Sequence, residues 1–200
     1  STFLSLYAEY GIAEGLTLGA TGFLEIDTMT EEADTADLGL FLRQRLWQGE
    51  NGDVVSVQAG VRHPVDDLLG DDFGGPNADP TQEVSLRLQY GRGWGFDWGS
   101  AFVSLEGGYH LQTDGDDDEV RADATLGAQP WTCCMLLLGA FSTYPIGDED
   151  DAAIKLAPSV TYGFRREDGG KGITLQLGVS QDLLALDEGL GVQLSVWQPF

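Results

Sequence analysis

The sequence predicts an all-β fold, a transmembrane antiparallel up-and-down β-barrel of about 12 strands, 11 of them in this chain. Three observations predict it. Apolar and polar residues alternate in nearly every segment between turns, as where Leu16, Leu18 and Leu24 share one parity while Thr17 and Thr21 share the other. The alternating segments are about ten residues long, as expected of transmembrane strands. No apolar run approaches the roughly 18–20 residues of a transmembrane helix, so only a closed barrel could span lipid.

Each strand is bounded by turn chemistry, and the whole chain, 1–200, is predicted to form one barrel domain. Gly49-Glu-Asn-Gly52 is a hairpin signal, and Gln129-Pro130 and Asp168-Gly-Gly170 are further turns. The predicted strands cover residues 2–11, 16–27, 36–48, 53–64, 82–92, 100–112, 119–129, 132–145, 153–165, 172–181 and 189–200. The alternation is weakest around 129–145, where a different number of strands is the alternative interpretation.

The connections between strands alternate in length and charge. Those after odd-numbered strands are short, and those after even-numbered strands are acidic and several are long. Since outer-membrane barrels have short periplasmic turns and longer outer loops, the even-numbered connections should be extracellular and Phe200 periplasmic. A bacterial barrel has an even strand count with both termini periplasmic. We therefore expect a twelfth strand upstream of Ser1, or a missing or separate segment that fills its place.

The charge of the chain excludes one class of partner and suggests one class of ligand. A net charge of −23 repels nucleic acid, so DNA or RNA binding is not expected. The acidic residues cluster in loops, which are either solvated surfaces or loosely bound Ca²⁺ sites. Asp114-Gly-Asp-Asp-Asp-Glu119 resembles part of a calcium loop, but its glycine is not at the EF-hand position. No firmly bound metal or cofactor is predicted.

The polar parity carries most of the basic residues and is predicted to line the interior of the barrel. Two interpretations of this row stay open. It is either a charge ladder that fills a plugged barrel, or the lining of a water-filled pore whose charges tune selectivity. Inward glycines such as Gly39 and Gly108 leave room and favour a lumen. The predicted pore-lining residues are Arg43, Arg45, Arg62, Glu83, Arg87, Glu106, Arg121, Asp123 and Lys155.

Signals for other chemistry are sparse. A soluble, lipocalin-like barrel would also alternate, but with its apolar face inside; the high strand count and the alternating loop lengths argue against it. An enzyme would need a nucleophile beside a histidine, and His110 is the candidate base because it is predicted inward near the outer rim. Its neighbours on the same strand, Ser104 and Glu106, are too far along the chain for a hydrogen bond.

Cys133 and Cys134 are predicted to be small apolar strand residues.

Residues 189–200, which end in Phe200, resemble the closing strand of porin-like outer-membrane proteins, although Gln198 stands at a position that is apolar in their pattern. The resemblance implies that the barrel-assembly machinery binds Phe200. Three further stretches resemble the XagA-like barrel proteins of proteobacteria, a group linked to exopolysaccharide production. These are Leu6-Tyr-Ala-Glu-Tyr-Gly-Ile-Ala-Glu-Gly-Leu-Thr-Leu-Gly19, Gln89-Tyr-Gly-Arg-Gly93 and Leu175-Gln-Leu-Gly178. In such proteins a further strand precedes the first of these stretches.

These observations predict a barrel in the bacterial outer membrane, surrounded by outer-membrane lipid and lipopolysaccharide. The leading expectation is a passive channel for small solutes or polymer export, and not an enzyme. A second hypothesis is a plugged barrel that anchors a surface assembly through loops 66–80 and 114–118. A third, a lipid-acting enzyme, would require His110 beside a nucleophile. The sequence names no transported solute and no protein partner.

Overall fold

The computed structural model describes residues 2–26, 33–65, 82–113, 117–147, 152–165, 171–185 and 190–197, and their regular structure is entirely β. Eleven antiparallel strands form one sheet in which spatial order follows chain order. This is the predicted up-and-down arrangement. The strands are β1 (Thr2–Ala13), β2 (Leu16–Ile26), β3 (Ala33–Gln48), β4 (Asp53–Pro64), β5 (Glu83–Phe96), β6 (Gly99–Gln112), β7 (Glu119–Trp131), β8 (Cys134–Pro145), β9 (Ala153–Arg165), β10 (Lys171–Asp182) and β11 (Leu190–Trp197).

The predicted boundaries of the first ten strands lie within three residues of the observed ones, except at the end of β5, and one predicted turn is misplaced. The turn predicted at Gln129-Pro130 is wrong, because both residues lie inside β7 and the turn follows at Thr132–Cys133. The backbone approaches closely here, since a side chain at Gly99 would collide with the Gln129 carbonyl. Because Gly99 has no side chain, β6 and β7 can remain adjacent at Pro130, whose nitrogen cannot donate a hydrogen bond.

A second correction concerns the glycine-rich stretch that follows Tyr90. The fifth strand is predicted to end at residue 92, but the structure continues β5 through this stretch to Phe96 and turns at Asp97–Trp98. Glycine is a weak strand former rather than an obligatory break. The hairpin predicted at Gly49–Gly52 is confirmed: Gly49 N donates to Asp53 O at 2.8 Å, and Gly52 has a φ of 83°.

The antiparallel registers keep each parity on one face. In the β2–β3 pair, Leu18 lies opposite Leu42 and Gly22 lies opposite Leu38. In the β10–β11 pair, Leu177 is opposite Leu194. Because side chains opposite one another in an antiparallel pair point to the same face, one face of each pair is a continuous apolar strip.

The distribution of burial is inverted relative to a water-soluble protein. Long apolar side chains are exposed, with Leu40 at 60% and Leu86 at 59%. Buried polar side chains lie on the opposite parity, including Gln58, Ser85 and Gln176. A soluble barrel hides its apolar parity, so this distribution argues against the lipocalin-like alternative.

The described strands fall into two compact units. The first unit is Ser1–Trp47, Val55–Leu88 and Gly108–Val120, and the second unit is Gln48–Val54, Gln89–Gly107 and Arg121–Phe200. Among the described residues, no helix has the length and apolarity that crossing a membrane requires. Several predicted features lie outside the described residues: the turn at 168–170, the whole of loop 66–80, residues 114–116 of the acidic stretch, and Phe200.

Candidate functional site

A row of ionisable side chains crosses four consecutive strands of the first unit, and we name it the charged row: Asp37, Arg62, Glu83 and His110. Arg62 Nη1 lies 3.7 Å from Asp37 Oδ2, and Arg62 Nη2 donates to Glu83 Oε2. His110 Nδ1 lies 2.7 Å from Glu83 Oε1. No hydrogen bond joins these two atoms, so the contact is one of proximity.

The charged row forms because four strands place the same parity at the same level. Asp37 and Arg62 lie near the start of β3 and the end of β4, where Val65 N donates to Ala36 O at 2.8 Å. Glu83 opens β5 and His110 lies near the end of β6, where Thr113 N donates to Gln82 O at 3.0 Å. These two backbone hydrogen bonds fix the register next to the long connections.

The charged row is organised around one buried carboxylate. The Glu83 side chain is almost fully buried and contacts both Arg62 and His110, whereas the Arg62 side chain keeps about a third of its surface accessible. A buried carboxylate needs a cation and hydrogen-bond donors close by, and Arg62 supplies both. Glu83 is therefore the centre of the row, and removing its charge should affect every other member.

His110 is the one side chain of the described residues that is both large and fully buried, at 0% exposure. Its Nε2 atom has no hydrogen-bond partner within the described part of the chain. A histidine base activates a hydroxyl by a hydrogen bond from that hydroxyl, and no described hydroxyl makes one with Nε2. The structure thus brings His110 to a carboxylate on the adjacent strand and not to a nucleophile.

A second ionic group of the first unit lies on the same parity, nearer the hairpin ends of β1, β2 and β3. Arg43 Nη2 lies 2.5 Å from Glu9 Oε1, and Tyr7 donates to the same carboxylate oxygen. Phe41 is buried, stacks on Tyr7 with ring centroids 5.6 Å apart, and covers Gly19, at which any side chain would collide with its ring. An aromatic ring thus fills the place that glycine leaves empty.

The nine residues predicted to line a pore lie on the polar parity of their strands, and the structure groups some of them. Arg62 meets Glu83, Glu106 accepts a hydrogen bond from Gln89 at 2.6 Å, and Arg45 lies 3.6 Å from Glu14. Lys155 is exposed, whereas the other eight are buried or half-buried. Arg87, Arg121 and Asp123 each have an interaction partner. That these residues line a pore stays a prediction.

The predicted pore lining omits three residues that belong to these two ionic groups: Asp37, Glu9 and His110. All three lie on the polar parity, so alternation could have included them. Which charges meet depends on the register between strands, and β4 and β5 are separated by a long connection whose length hides that register.

Near the middle of β9–β11 in the second unit the polar parity is neutral, and we name these residues the neutral row: Ser159, Thr161, Gln176, Gln193 and Ser195. Lys155 and Asp182 lie on the same parity, opposite each other at one end of β9 and β10. Gln176 donates to Ser159 Oγ at 2.8 Å, and Gln193 donates to Ser195 Oγ at 3.2 Å. Thr161 and Gln176 are both buried at 8% exposure. Neutral hydrogen bonds satisfy this face without charge.

The cysteines lie where β7 turns into β8. Cys133 is in the turn and Cys134 begins β8, so they are not two residues within one strand as predicted. Neighbours within a strand point to opposite faces, but here the two Sγ atoms are 3.0 Å apart and both thiols are free. The turn conformation of Cys133 accounts for the difference.

Among the described residues, no group of three or more His, Cys, Asp or Glu side chains is arranged to hold a metal ion. No protein-family model, curated protein or solved structure matches the chain. The resemblance to the XagA-like proteins therefore stays a prediction.

Proposed function

We propose that the chain forms the wall of a transmembrane β-barrel in a bacterial outer membrane and that this barrel is a passive channel. The inverted burial of the two parities carries the proposal. Leucines and valines that would be costly to expose to water lie exposed on one parity, and polar groups are buried on the other. Lipid and lipopolysaccharide would cover the apolar parity, and the channel would pass small solutes or an exported polymer.

The tryptophans support a membrane environment. All five occur at the ends of odd-numbered strands or in a turn that follows one. In an antiparallel sheet these positions share one end. Tryptophan is enriched where a membrane meets water, because its ring is apolar and its N–H is polar. The five residues are Trp47, Trp94, Trp98, Trp131 and Trp197.

The accessibility of the charged side chains supports a conducting interior. The side chains of Arg43, Arg45 and Arg62 are 26%, 35% and 33% exposed although they lie on the polar parity. Water reaches them, so the polar parity is not sealed everywhere. A water-accessible face of alternating Arg and carboxylate groups would let ions pass and would set their selectivity.

A plugged barrel that anchors a surface assembly is the second candidate, and two observations favour it. Phe41 is buried on the polar parity and covers Gly19. His110 and Glu83 are themselves buried at their level of the strands. A barrel closed at these two levels would not conduct, and its loops would carry the function.

Strand parity supports a twelfth strand. With 11 antiparallel strands in sequence order, β1 and β11 run in the same direction. Direct pairing of these two would be parallel, unlike that of every other pair, whereas one further strand between them would be antiparallel to both. We propose that a segment outside these 200 residues, or a separate chain, supplies that strand.

Single-channel conductance in a planar bilayer under a salt gradient tests the channel. The full-length protein is refolded, and heat-modifiable mobility verifies that it is folded. Discrete current steps with a defined ion preference are expected. A folded, silent barrel would contradict the channel and support the anchor, and a chain that does not insert would contradict both.

The same measurement tests the roles of the arginines. Arg87→Gln together with Arg121→Gln removes two positive charges from the polar parity, so cation preference should rise. The reversal potential should move toward that of potassium in a potassium chloride gradient. An unchanged reversal potential would show that these two side chains do not set selectivity.

A further inference from the structure

A polar cluster lies on the apolar parity of β4 and β5 in the second unit, and we name it the interfacial cluster: Asp53, Tyr90, Arg92 and Trp94. Arg92 Nη1 lies 3.5 Å from Asp53 Oδ1, and Tyr90 donates to the same oxygen at 2.7 Å. The guanidinium carbon of Arg92 lies 5.3 Å from the Trp94 ring centroid, in cation–π contact.

Arg92 lies on the apolar parity of its strand, unlike the other described Arg and Lys side chains. It shares its parity with Leu86 and Leu88, which are exposed and apolar. Among the Arg and Lys side chains that the structure describes, Arg92 alone lies on an apolar parity. The others lie on the polar parity of their strands: Arg43, Arg45, Arg62, Arg87, Arg121 and Lys155.

The level of Arg92 along the strand makes this position tolerable in a membrane. It lies four residues before the end of β5, followed by Trp94 and by Phe96, which stacks on Trp98 with centroids 4.9 Å apart. An Arg facing lipid costs about 2–4 kcal/mol at the bilayer midplane but roughly 0–1 kcal/mol near an interface. Aromatic rings at strand ends mark that interface, so Arg92 lies at headgroup level.

The donors and acceptors of the cluster are only partly used. Arg92 Nε is buried and has no hydrogen-bond partner in the described part of the chain, and the one carboxylate contact of the guanidinium is at 3.5 Å. Both side-chain contacts of Asp53 use Oδ1, which leaves Oδ2 for a donor. The cluster therefore has a guanidinium without a close carboxylate partner, next to an Asp53 oxygen, Oδ2, that neither of these two contacts uses.

We propose that the interfacial cluster binds the phosphoethanolamine headgroup of a membrane phospholipid, an inference that rests on the proposed membrane location. The phosphate accepts a charge-assisted hydrogen bond from Nη2 of Arg92, because Nε is buried and not accessible to a headgroup. The ammonium group lies against Asp53 Oδ2. Trp94 packs on the glycerol backbone and holds the guanidinium plane. A positive and a negative side chain side by side match a zwitterionic headgroup better than an anionic one.

Lipid retention tests the site. The full chain is refolded into vesicles of phosphatidylcholine, phosphatidylethanolamine and phosphatidylglycerol and extracted in mild detergent. Native mass spectrometry then identifies and counts the lipids that remain bound to the protein. One retained phosphatidylethanolamine per protein is expected. Arg92→Gln should lower its retention roughly tenfold, since a charge-assisted hydrogen bond contributes about 1.5–3 kcal/mol. Arg92→Lys, which keeps the charge without the planar fork, should retain an intermediate amount.

Arg45→Gln is the matched control for this measurement. Arg45 also lies near a hairpin end, and its side chain has the same 35% exposure as that of Arg92, but it lies on the polar parity. Its substitution should leave lipid retention unchanged. Asp53→Asn should shift the retained lipid from phosphatidylethanolamine to phosphatidylglycerol, because the ammonium loses its partner.

Several results would overturn the inference. Equal retention in wild type and Arg92→Gln, or equal loss in Arg45→Gln, would remove the site. Displacement of the lipid by inorganic phosphate alone would assign the cluster to free phosphate instead. Insertion of the protein without retained phosphatidylethanolamine would overturn this inference and leave the membrane proposal standing. Failure to insert would overturn both.

Discussion

The charged row of the first unit and the neutral row of the second occupy the same parity but satisfy burial in opposite ways. In the charged row, Glu83 is buried between Arg62 and His110. In the neutral row, Gln176 is equally buried, yet its described side-chain hydrogen bond goes to the Ser159 hydroxyl. Two regions with the same strand pattern thus use different chemistry to bury their polar side chains.

The difference shows where the fold depends on exact partners. A buried carboxylate is stable only while its cation and donors remain in place, because the unpaired charge would keep its full desolvation penalty. A neutral amide or hydroxyl that loses a partner leaves a smaller penalty. The charged row should therefore be sensitive to single substitutions and to register, and the neutral row should tolerate both.

The largest effect should come from placing a charge on the face that both regions keep apolar. Leu194→Arg in β11 puts a cation on the apolar parity, which faces lipid in the proposed barrel, and should lower the free energy of unfolding by about 2–4 kcal/mol. Gln193→Arg, one residue earlier on the neutral row, should lower it by less than about 1 kcal/mol. Urea unfolding of the protein in lipid vesicles measures both. Equal effects at the two positions would show that the faces are not in different solvents.

Glu83→Gln tests the centre of the charged row. The amide keeps the shape but removes the charge that Arg62 and His110 face, so the free energy of unfolding should fall by about 2–3 kcal/mol. The value is below that for a fully buried pair because the Arg62 side chain is a third exposed and water screens part of its charge. Urea unfolding in vesicles gives the change.

The double variant Glu83→Gln/Arg62→Gln isolates the pair. If the two side chains act together, its effect should be smaller than the sum of the single effects by roughly 1 kcal/mol or more. Additive losses would mean that Glu83 is held by its other contacts and that the pairing with Arg62 contributes nothing of its own.

Alternation predicts the strands and their faces well, because a period of two follows directly from strand geometry. It does not predict the partners within the charged row. His110 shares a face with Glu106 on its own strand, but its partner Glu83 is on the neighbouring strand, and only the pairing register brings them together. The strand end predicted at residue 92 and the turn predicted at Gln129-Pro130 are wrong, because the pairing of neighbouring strands outweighs the local propensity of Gly and Pro.

Two glycines that aromatic rings cover should respond alike, although they belong to different units. A side chain at Gly19 would collide with Phe41, and one at Gly127 would collide with Phe102. Alanine at either position should destabilise the protein by about 1–3 kcal/mol, the range for overpacking. Gly107→Ala is the control, because nothing lies within 4 Å of the added methyl group. The melting temperatures of the three variants test this. If only one of Gly19→Ala and Gly127→Ala lowers the melting temperature, the ring at the other position moves aside without cost.

The smallest effect should be in the neutral row itself. Gln176→Ala removes the 2.8 Å hydrogen bond to Ser159 and leaves a hydroxyl that can turn toward another acceptor or water. The free energy of unfolding should fall by about 1 kcal/mol, the net contribution of one neutral hydrogen bond. Ser159→Ala, which removes the other partner, should have a similar effect, and the double variant should add little. Urea unfolding in vesicles measures the three. A loss as large as that of Glu83→Gln would mean that burial alone, rather than charge, makes the polar parity sensitive, and the contrast between the two rows would disappear.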